Sequence, residues 1–312
     1  MSRGNKIYFL GIAMLLAVAS IFGAAYFYYS KKPAAAKANS LDAVNISKSG
    51  DFQPLAVPPE AVQKGRAIAL PILMYHHVGS LPAGADKIQA DLTVRSVSFE
   101  AQAKWLKENG YQSVSLNDIY LASLGKFVLP KKPVVFTFDD GYEDVFQNAV
   151  PILKKYGFSG SFGIITKKPG TSAGLNFYAP WGDIAAAYMN GEEVVSHTQT
   201  HFDGSNPKYT AGYIYGELSG SMADIKNRLD ITTNILIYPY GHYTPTYIVE
   251  AKKAGYVMGI TVHEGDIVNL DDLMRIPRVR VHGAETLRRF EDVLLHRTES
   301  STTTPAKLTR PR

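Results

Sequence analysis

Over residues 67–295, short apolar runs rich in β-branched residues alternate with stretches of helical periodicity. This alternation constrains the fold more than any other feature. When a helix follows each strand, it carries the chain back and successive strands run parallel. The strand-like runs are residues 67–75, 112–116, 134–138, 160–166, 192–196, 235–238, 256–262 and 274–281. Between them, Ser98-Phe99-Glu100 opens a helix that ends at Asn109-Gly110. Further helices are predicted over 117–125, with Asn117 as N-cap, 142–156, closed by Gly157, and 181–189, 209–229, 245–254 and 285–295. Residues 79–91 and 167–178 read as loops. About seven strand–helix units suit a closed or nearly closed α/β barrel, although spacing alone leaves an open sheet as the alternative.

The flanks read differently. Residues 7–29 are almost entirely apolar and carry no charge, and about 20 such residues cross a bilayer. Arg3 and Lys6 precede the run, Lys31 and Lys32 follow it, and Tyr26, Phe27, Tyr28 and Tyr29 form an interfacial aromatic belt. The expectation is one transmembrane helix within residues 1–30. The competing reading is a secretory signal cleaved near Ala17-Val18-Ala19 or Ala36-Lys37-Ala38. Both readings place the rest of the chain outside the cytoplasm. Residues 31–66, rich in Ala, Pro, Ser and Lys, read as a flexible linker. Residues 67–297 then form the main folded domain, and 298–312 a disordered tail. A net charge of +5 comes with no nucleic-acid motif, so no nucleic-acid partner is expected. The chain has no cysteine, which excludes disulfides, thiolate ligands and a cysteine nucleophile. It also lacks a G-x-S-x-G elbow, which disfavours a serine hydrolase.

Two motifs carry the chemistry. The run Val134–Phe138 ends in Asp139-Asp140-Gly141, a turn signal bearing two carboxylates. In α/β folds this is where ligands bind, beyond the carboxyl ends of the strands. The run 193–196 ends in His197-Thr198-Gln199-Thr200-His201. Two histidines four apart can share one side of a helical turn. With one carboxylate they make a three-ligand metal site with open positions.

These motifs resemble the first two of the NodB-homology polysaccharide deacetylases (carbohydrate esterase family 4), and Tyr238-Pro239-Tyr240-Gly241 resembles the third. Pro71-Ile72-Leu73-Met74-Tyr75-His76-His77 resembles the branch that includes the poly-N-acetylglucosamine deacetylases of biofilm matrices. The resemblance covers roughly residues 70–282 and is specific in the combination and order of its motifs. It implies a distorted (β/α) barrel and hydrolysis of N-acetyl groups from an extracytoplasmic N-acetylglucosamine polymer, at a bacterial cell membrane or after secretion. The other readings are a peptidoglycan or chitin-oligomer deacetylase, and a non-catalytic glycan-binding module with a relic metal site.

The family motifs imply Asp140, His197 and His201 as ligands of one divalent metal ion. Zinc suits this ligand set, and nickel, cobalt or iron fit it too. Asp139 is then the general base. Many relatives take a general acid from a C-terminal motif, which is missing here. In the biofilm branch the corresponding strand lies at the domain's start, so His76 is the expected acid and His282 the runner-up, with His77 facing away. The backbone N–H of Tyr240 is the expected oxyanion donor. Ile237 stands where many relatives place an arginine that orients the base; Arg275 or Arg278 is expected to replace it. Tyr178, Trp181 and Tyr243 are candidate sugar-stacking residues on rim segments.

Overall fold

The computed structural model describes residues 66–300, with side chains to residue 295. The expected membrane span at 7–29, the linker up to residue 65 and the tail from 301 lie outside the described residues. No helix among the described residues is long and apolar enough to cross a membrane.

Seven parallel strands close into a barrel. They are β1 (Ile72–Tyr75), β3 (Pro133–Phe138), β4 (Gly160–Ile164), β5 (Glu193–Ser196), β6 (Ile235–Ile237), β7 (Met258–Glu264) and β8 (Ile276–Arg280). A short strand, β2 (Gln112–Ser113), pairs only with the first two residues of β3. Around the ring the order is β1, β8, β7, β6, β5, β4, β3, and β3 returns to β1 with Tyr75 opposite Phe138. The first and last strands are therefore neighbours, with Val279 opposite Leu73.

Strand alternation sorts the side chains. Ile72, Val135, Val195, Ile237, Ile260 and Ile276 pack together as the barrel interior. Leu73, Tyr75, Phe136, Phe138 and Phe162 face outward onto the helices Ser96–Glu108 and Leu287–Ser300, meeting Phe99, Leu106 and Phe290. A third cluster joins Leu236 and Tyr238 to the helices Ala211–Leu229 and Pro245–Ala254 through Leu218, Tyr247 and Ala251.

Several sequence expectations are corrected. The segment read as a loop over 79–91 contains a helix, Lys87–Leu92, whose N-cap Asp86 accepts from Gln89 N–H at 2.8 Å. The helix Leu116–Ser123 is capped by Ser115 rather than Asn117: Ser115 and Asp118 bond reciprocally in a capping box. The helix expected from 142 begins as a π-turn, Val145–Ala149, before Val150–Tyr156. Pro151 has no N–H to continue a regular ladder there. The loop over 167–178 carries a small hairpin pairing Ser172 with Phe177. The last helix runs to Ser300, so residues 298–300 are helical rather than tail.

Candidate active site

The functional side chains gather at the carboxyl ends of the strands, where barrels hold their sites. Asp139 and Asp140 follow directly on β3. The Gly141 N–H donates to the Asp139 carbonyl at 2.9 Å, closing a three-residue turn about Asp140, whose φ is 73°. A turn of this kind is strained for a residue with a side chain. It splays the two carboxylates, so Asp139 meets Arg278 while Asp140 meets the histidines.

Arg278 is completely buried. Its Nη1 and Nη2 donate to Asp139 Oδ1 and Oδ2, both at 2.7 Å. Nη1 also donates to Thr137 Oγ1 at 3.0 Å, and Nε to the Thr261 carbonyl at 2.8 Å. Burial alone would raise the Asp139 carboxyl, but the Arg278 charge and hydrogen bonds override it and hold that carboxyl below its ordinary value. Arg275, the other candidate for this task, is corrected: its Nη1 bonds Asp272 at 2.7 Å on an exposed segment.

His76 follows β1, with Nε2 3.9 Å from Asp139 Oδ2. Burial lowers its imidazole below the ordinary value, against the pull of Asp139 and Asp140. His77 turns to the other side, with Nδ1 2.9 Å from Asp144 Oδ2 and its ring stacked on Tyr142 at 3.8 Å. His282, the alternative acid, is half exposed and bonded to Asp91 at 2.8 Å rather than to Asp139.

Among the described residues, Asp140, His197 and His201 form a cluster whose ligand atoms lie within 4.8 Å of one another. Asp140 Oδ1 is buried with no hydrogen-bond donor, 3.3 Å from Nε2 of each histidine. His197 Nδ1 lies 2.8 Å from the Ile237 carbonyl, which can only accept. In the neutral ring the proton therefore sits on Nδ1 and the Nε2 lone pair faces Asp140; burial would lower this imidazole, but the Asp139 and Asp140 carboxylates raise it. Burial, aided by the charge of His197, lowers His201 to about 4, so its ring is neutral at pH 7. Burial would raise Asp140, but its pairing with His197 outweighs burial and holds it well below the carboxylate range. Two imidazole lone pairs and an ionised carboxylate converging on an unsatisfied oxygen fit a divalent cation.

Tyr240 lies on the turn Pro239–Gly241 with φ of 57°. Gly241 must be glycine: its φ is +69°, and a Cβ there would stand 2.6 Å from Val262 N on β7. This contact presses the turn against the barrel and brings the Tyr240 ring within 4.6 Å of His201. Among the described residues, five other than glycine have positive φ, and four of these, Asp140, Thr198, His201 and Tyr240, lie at this site. Backbone strain is concentrated around this cluster.

The expected sugar-stacking residues fare unevenly. Tyr178 is buried against Tyr142, ring to ring at 5.1 Å. Trp181 packs on the outer core, and Tyr243 packs on Tyr238 at 5.2 Å and His263 at 5.7 Å. Both of these rings are partly buried against their neighbours. The aromatic that is exposed beside the ligands is the Tyr240 side chain, valued in the sequence only for its N–H. Sequence reasoning also missed Glu217, whose carboxylate accepts from the N–H groups of Gln199 and Thr200 between the two histidines.

Known proteins resemble this chain in sequence and in fold. A family described as polysaccharide deacetylase matches residues 128–259. The Bacillus subtilis (strain 168) protein YxkH, named as a polysaccharide deacetylase, is 32% identical over 241 residues, covering 77% of this chain and 79% of its own length. The poly-beta-1,6-N-acetyl-D-glucosamine N-deacetylase of Escherichia coli O157:H7 is 27% identical over 250 residues, covering 68% of this chain. That match spans only 37% of the Escherichia coli protein's length. Among solved structures, the Streptococcus pyogenes deacetylase PplD in complex with acetate superposes with a TM-score of 0.65 at 26% identity, over 73% of this chain and 99% of that one.

Proposed function

The chain belongs to the polysaccharide deacetylase family, and from that premise we propose that it hydrolyses N-acetyl groups of a poly-N-acetylglucosamine-type polymer outside the cytoplasm. The observation that carries this reading is the bidentate Arg278–Asp139 pair beside the Asp140, His197 and His201 cluster. A base held ionised next to a cation site is what amide hydrolysis by water needs. The relatives named for poly-beta-1,6-N-acetyl-D-glucosamine favour that polymer.

Each side chain has a separable task. Asp140, His197 and His201 hold one divalent ion, for which zinc is proposed. When bound, that ion supplies Lewis acidity to the acetyl carbonyl and lowers the pKa of water. Asp139 accepts a proton from the attacking water, and Arg278 keeps it ionised and aimed. His76, 3.9 Å from Asp139, delivers a proton to the leaving amine nitrogen as the C–N bond breaks. The products are acetate and a free amine on the sugar. The Tyr240 N–H is proposed to stabilise the oxyanion, and the exposed Tyr240 ring to stack on a sugar face. The anchor at residues 7–29 is proposed to hold the domain at the outer side of the membrane.

The test is acetate release from β-1,6-linked N-acetylglucosamine oligomers, chitin oligomers and peptidoglycan, by the zinc-loaded chain and after chelation. Zinc-dependent release that is fastest on the β-1,6-linked oligomers is expected. Faster release from either other polymer reassigns the substrate, and no release from any of them leaves the relic binding module as the reading.

A further inference from the structure

The ligand loop His197-Thr198-Gln199-Thr200-His201 leans on one face of the helix Ala211–Leu229. Glu217, Ser221 and Asp224 lie at i, i+4 and i+7, so they form a single stripe. Glu217 is buried, and its carboxylate collects four donors. Oε2 accepts from Gln199 N–H at 3.1 Å and Thr200 N–H at 3.0 Å. Oε1 accepts from Thr200 Oγ1 at 2.9 Å and from the Tyr213 hydroxyl at 3.2 Å. Ser221 Oγ lies 2.8 Å from Ser196 Oγ, which accepts from Thr198 N–H at 3.2 Å. Asp224 Oδ2 accepts from Gln199 Nε2 and from Thr166 Oγ1, both at 2.7 Å. The Gln199 side chain reaches this face because residue 220 is glycine; a Cβ there would sit 2.5 Å from Gln199 Cδ.

We infer that Glu217 is a positioning residue for the ligand pair His197 and His201, acting as a fixed acceptor that holds the intervening main chain in its strained form. The inference rests on the metal reading of that pair. Thr198 and His201 have φ of 66° and 64°. Backbone of this kind costs about 1–3 kcal/mol per residue and persists only when its surroundings over-determine it. Of the three N–H groups between the ligands, those of Gln199 and Thr200 find no carbonyl partner in a strand or helix, so the Glu217 carboxylate takes both. Charge-assisted acceptors of this sort are the strong ones. Without them the loop relaxes towards ordinary dihedrals, and the two Nε2 atoms no longer converge on Asp140 Oδ1.

The experiment measures zinc affinity of the full chain by competition with a chromophoric chelator, together with the cobalt(II) absorption spectrum and the metal-free melting temperature. The variants are Glu217→Gln, which keeps the shape but replaces one acceptor by a donor, and Thr200→Ala, which removes one of the four donors from an exposed position. Loss of a supporting group typically weakens metal binding about 10–100-fold. That loss, with an altered cobalt spectrum, is expected for Glu217→Gln. A loss of about fivefold, equivalent to one hydrogen bond, is expected for Thr200→Ala. A Glu217→Gln chain that melts lower but binds zinc with wild-type affinity and shows the wild-type cobalt spectrum overturns the inference. Should Glu217→Gln fail to fold, wild-type zinc affinity in Thr200→Ala overturns it. Wild-type protein that binds no zinc refutes the metal reading itself, an outcome separate from both.

Discussion

Replacing Arg278 with methionine removes one half of a buried ion pair and leaves the other half in place. In the folded chain Arg278 is fully buried and Asp139 is 2% exposed, so water cannot substitute for the lost guanidinium. Four hydrogen bonds go with it: two to Asp139, one to Thr137 and one to the Thr261 carbonyl. Breaking a buried pair on one side costs about 3–5 kcal/mol, because a charge remains uncompensated. The sign with pH follows from the direction of the wild-type shift. Arg278 lowers the folded-state pKa of Asp139. The stability it gives is therefore present above the ordinary carboxylate range and is lost as pH falls through the folded value. The deficit of Arg278→Met should be largest at neutral pH and shrink on acidification, since a protonated Asp139 needs no cation. Activity should follow the same group. At pH 7 the acetate-release rate should drop by about 10²–10⁴, the usual worth of a general base. The acidic limb of the rate profile should also move to higher pH, with partial recovery in alkali. The assays are kcat/KM for acetate release across pH and melting temperature across the same range. An acidic limb at the wild-type position, with a stability deficit independent of pH, would refute the claim that Arg278 keeps Asp139 ionised. Arg278→Lys should be intermediate, because an ammonium keeps the charge but cannot fork.

Three further outcomes are expected. His76→Ala should depress N-deacetylation strongly while sparing hydrolysis of an aryl acetate, whose leaving group needs little proton donation; His282→Ala should do neither, and the reverse pattern would assign the acid to the closing strand. Glu192 is buried with Gly160 N–H as a partner at 2.6 Å, and burial pushes its carboxyl up to about 7. A raised folded pKa gives stability that is complete below the unfolded value and lost as pH rises through 7, on the order of 3 kcal/mol. Glu192→Gln should therefore flatten the fall in melting temperature between pH 5 and pH 8, and identical slopes in the two proteins would show that Glu192 does not titrate there. Protease added to intact spheroplasts should release the catalytic domain by cutting within residues 31–66, whereas protection until lysis would contradict an outward-facing domain.

Much of this site was legible in the sequence because strand alternation fixes direction. His76 follows Tyr75, which faces the outer core, so His76 must point inward and His77 outward. The same parity separates Arg278 from Arg275. Ile276 fills the barrel interior, and residue 278 shares its face, whereas 275 precedes the strand. Other features had no local signal. Asp140, Thr198, His201 and Tyr240 all take positive φ, which is uncommon for any residue other than glycine. These dihedrals come from tertiary acceptors such as Glu217 and from the close approach of Gly241 to β7. The helix Lys87–Leu92 was hidden by its length of six residues, too short for a periodic pattern. Ser115 was hidden because the strand-like run was read through it, although Ser115-x-x-Asp118 spells a cap.

The meeting of Asp139, His76 and Arg278 depends on closure, which spacing could not decide. Arg278 is on β8 and Asp139 follows β3, and the two strands flank β1, which carries His76. The three groups therefore stand side by side across adjacent strands, although Asp139 and Arg278 are 139 residues apart in the chain. Were the ring opened between β1 and β8, those strands would be opposite edges, and Arg278 could not lie across β1 from Asp139. This also explains how the chain manages with isoleucine at 237. An arginine there would come from β6, on the far side of the ring and next to the histidine strand β5. Ile237 instead joins the interior packing, and its carbonyl accepts the His197 Nδ1 proton. The charge that Asp139 needs arrives from the strand that closes the barrel. The Asp139–Arg278 pair and the closed topology thus support each other: the pair can form only if the first and last strands meet, and once formed it ties β8 to β3 across β1.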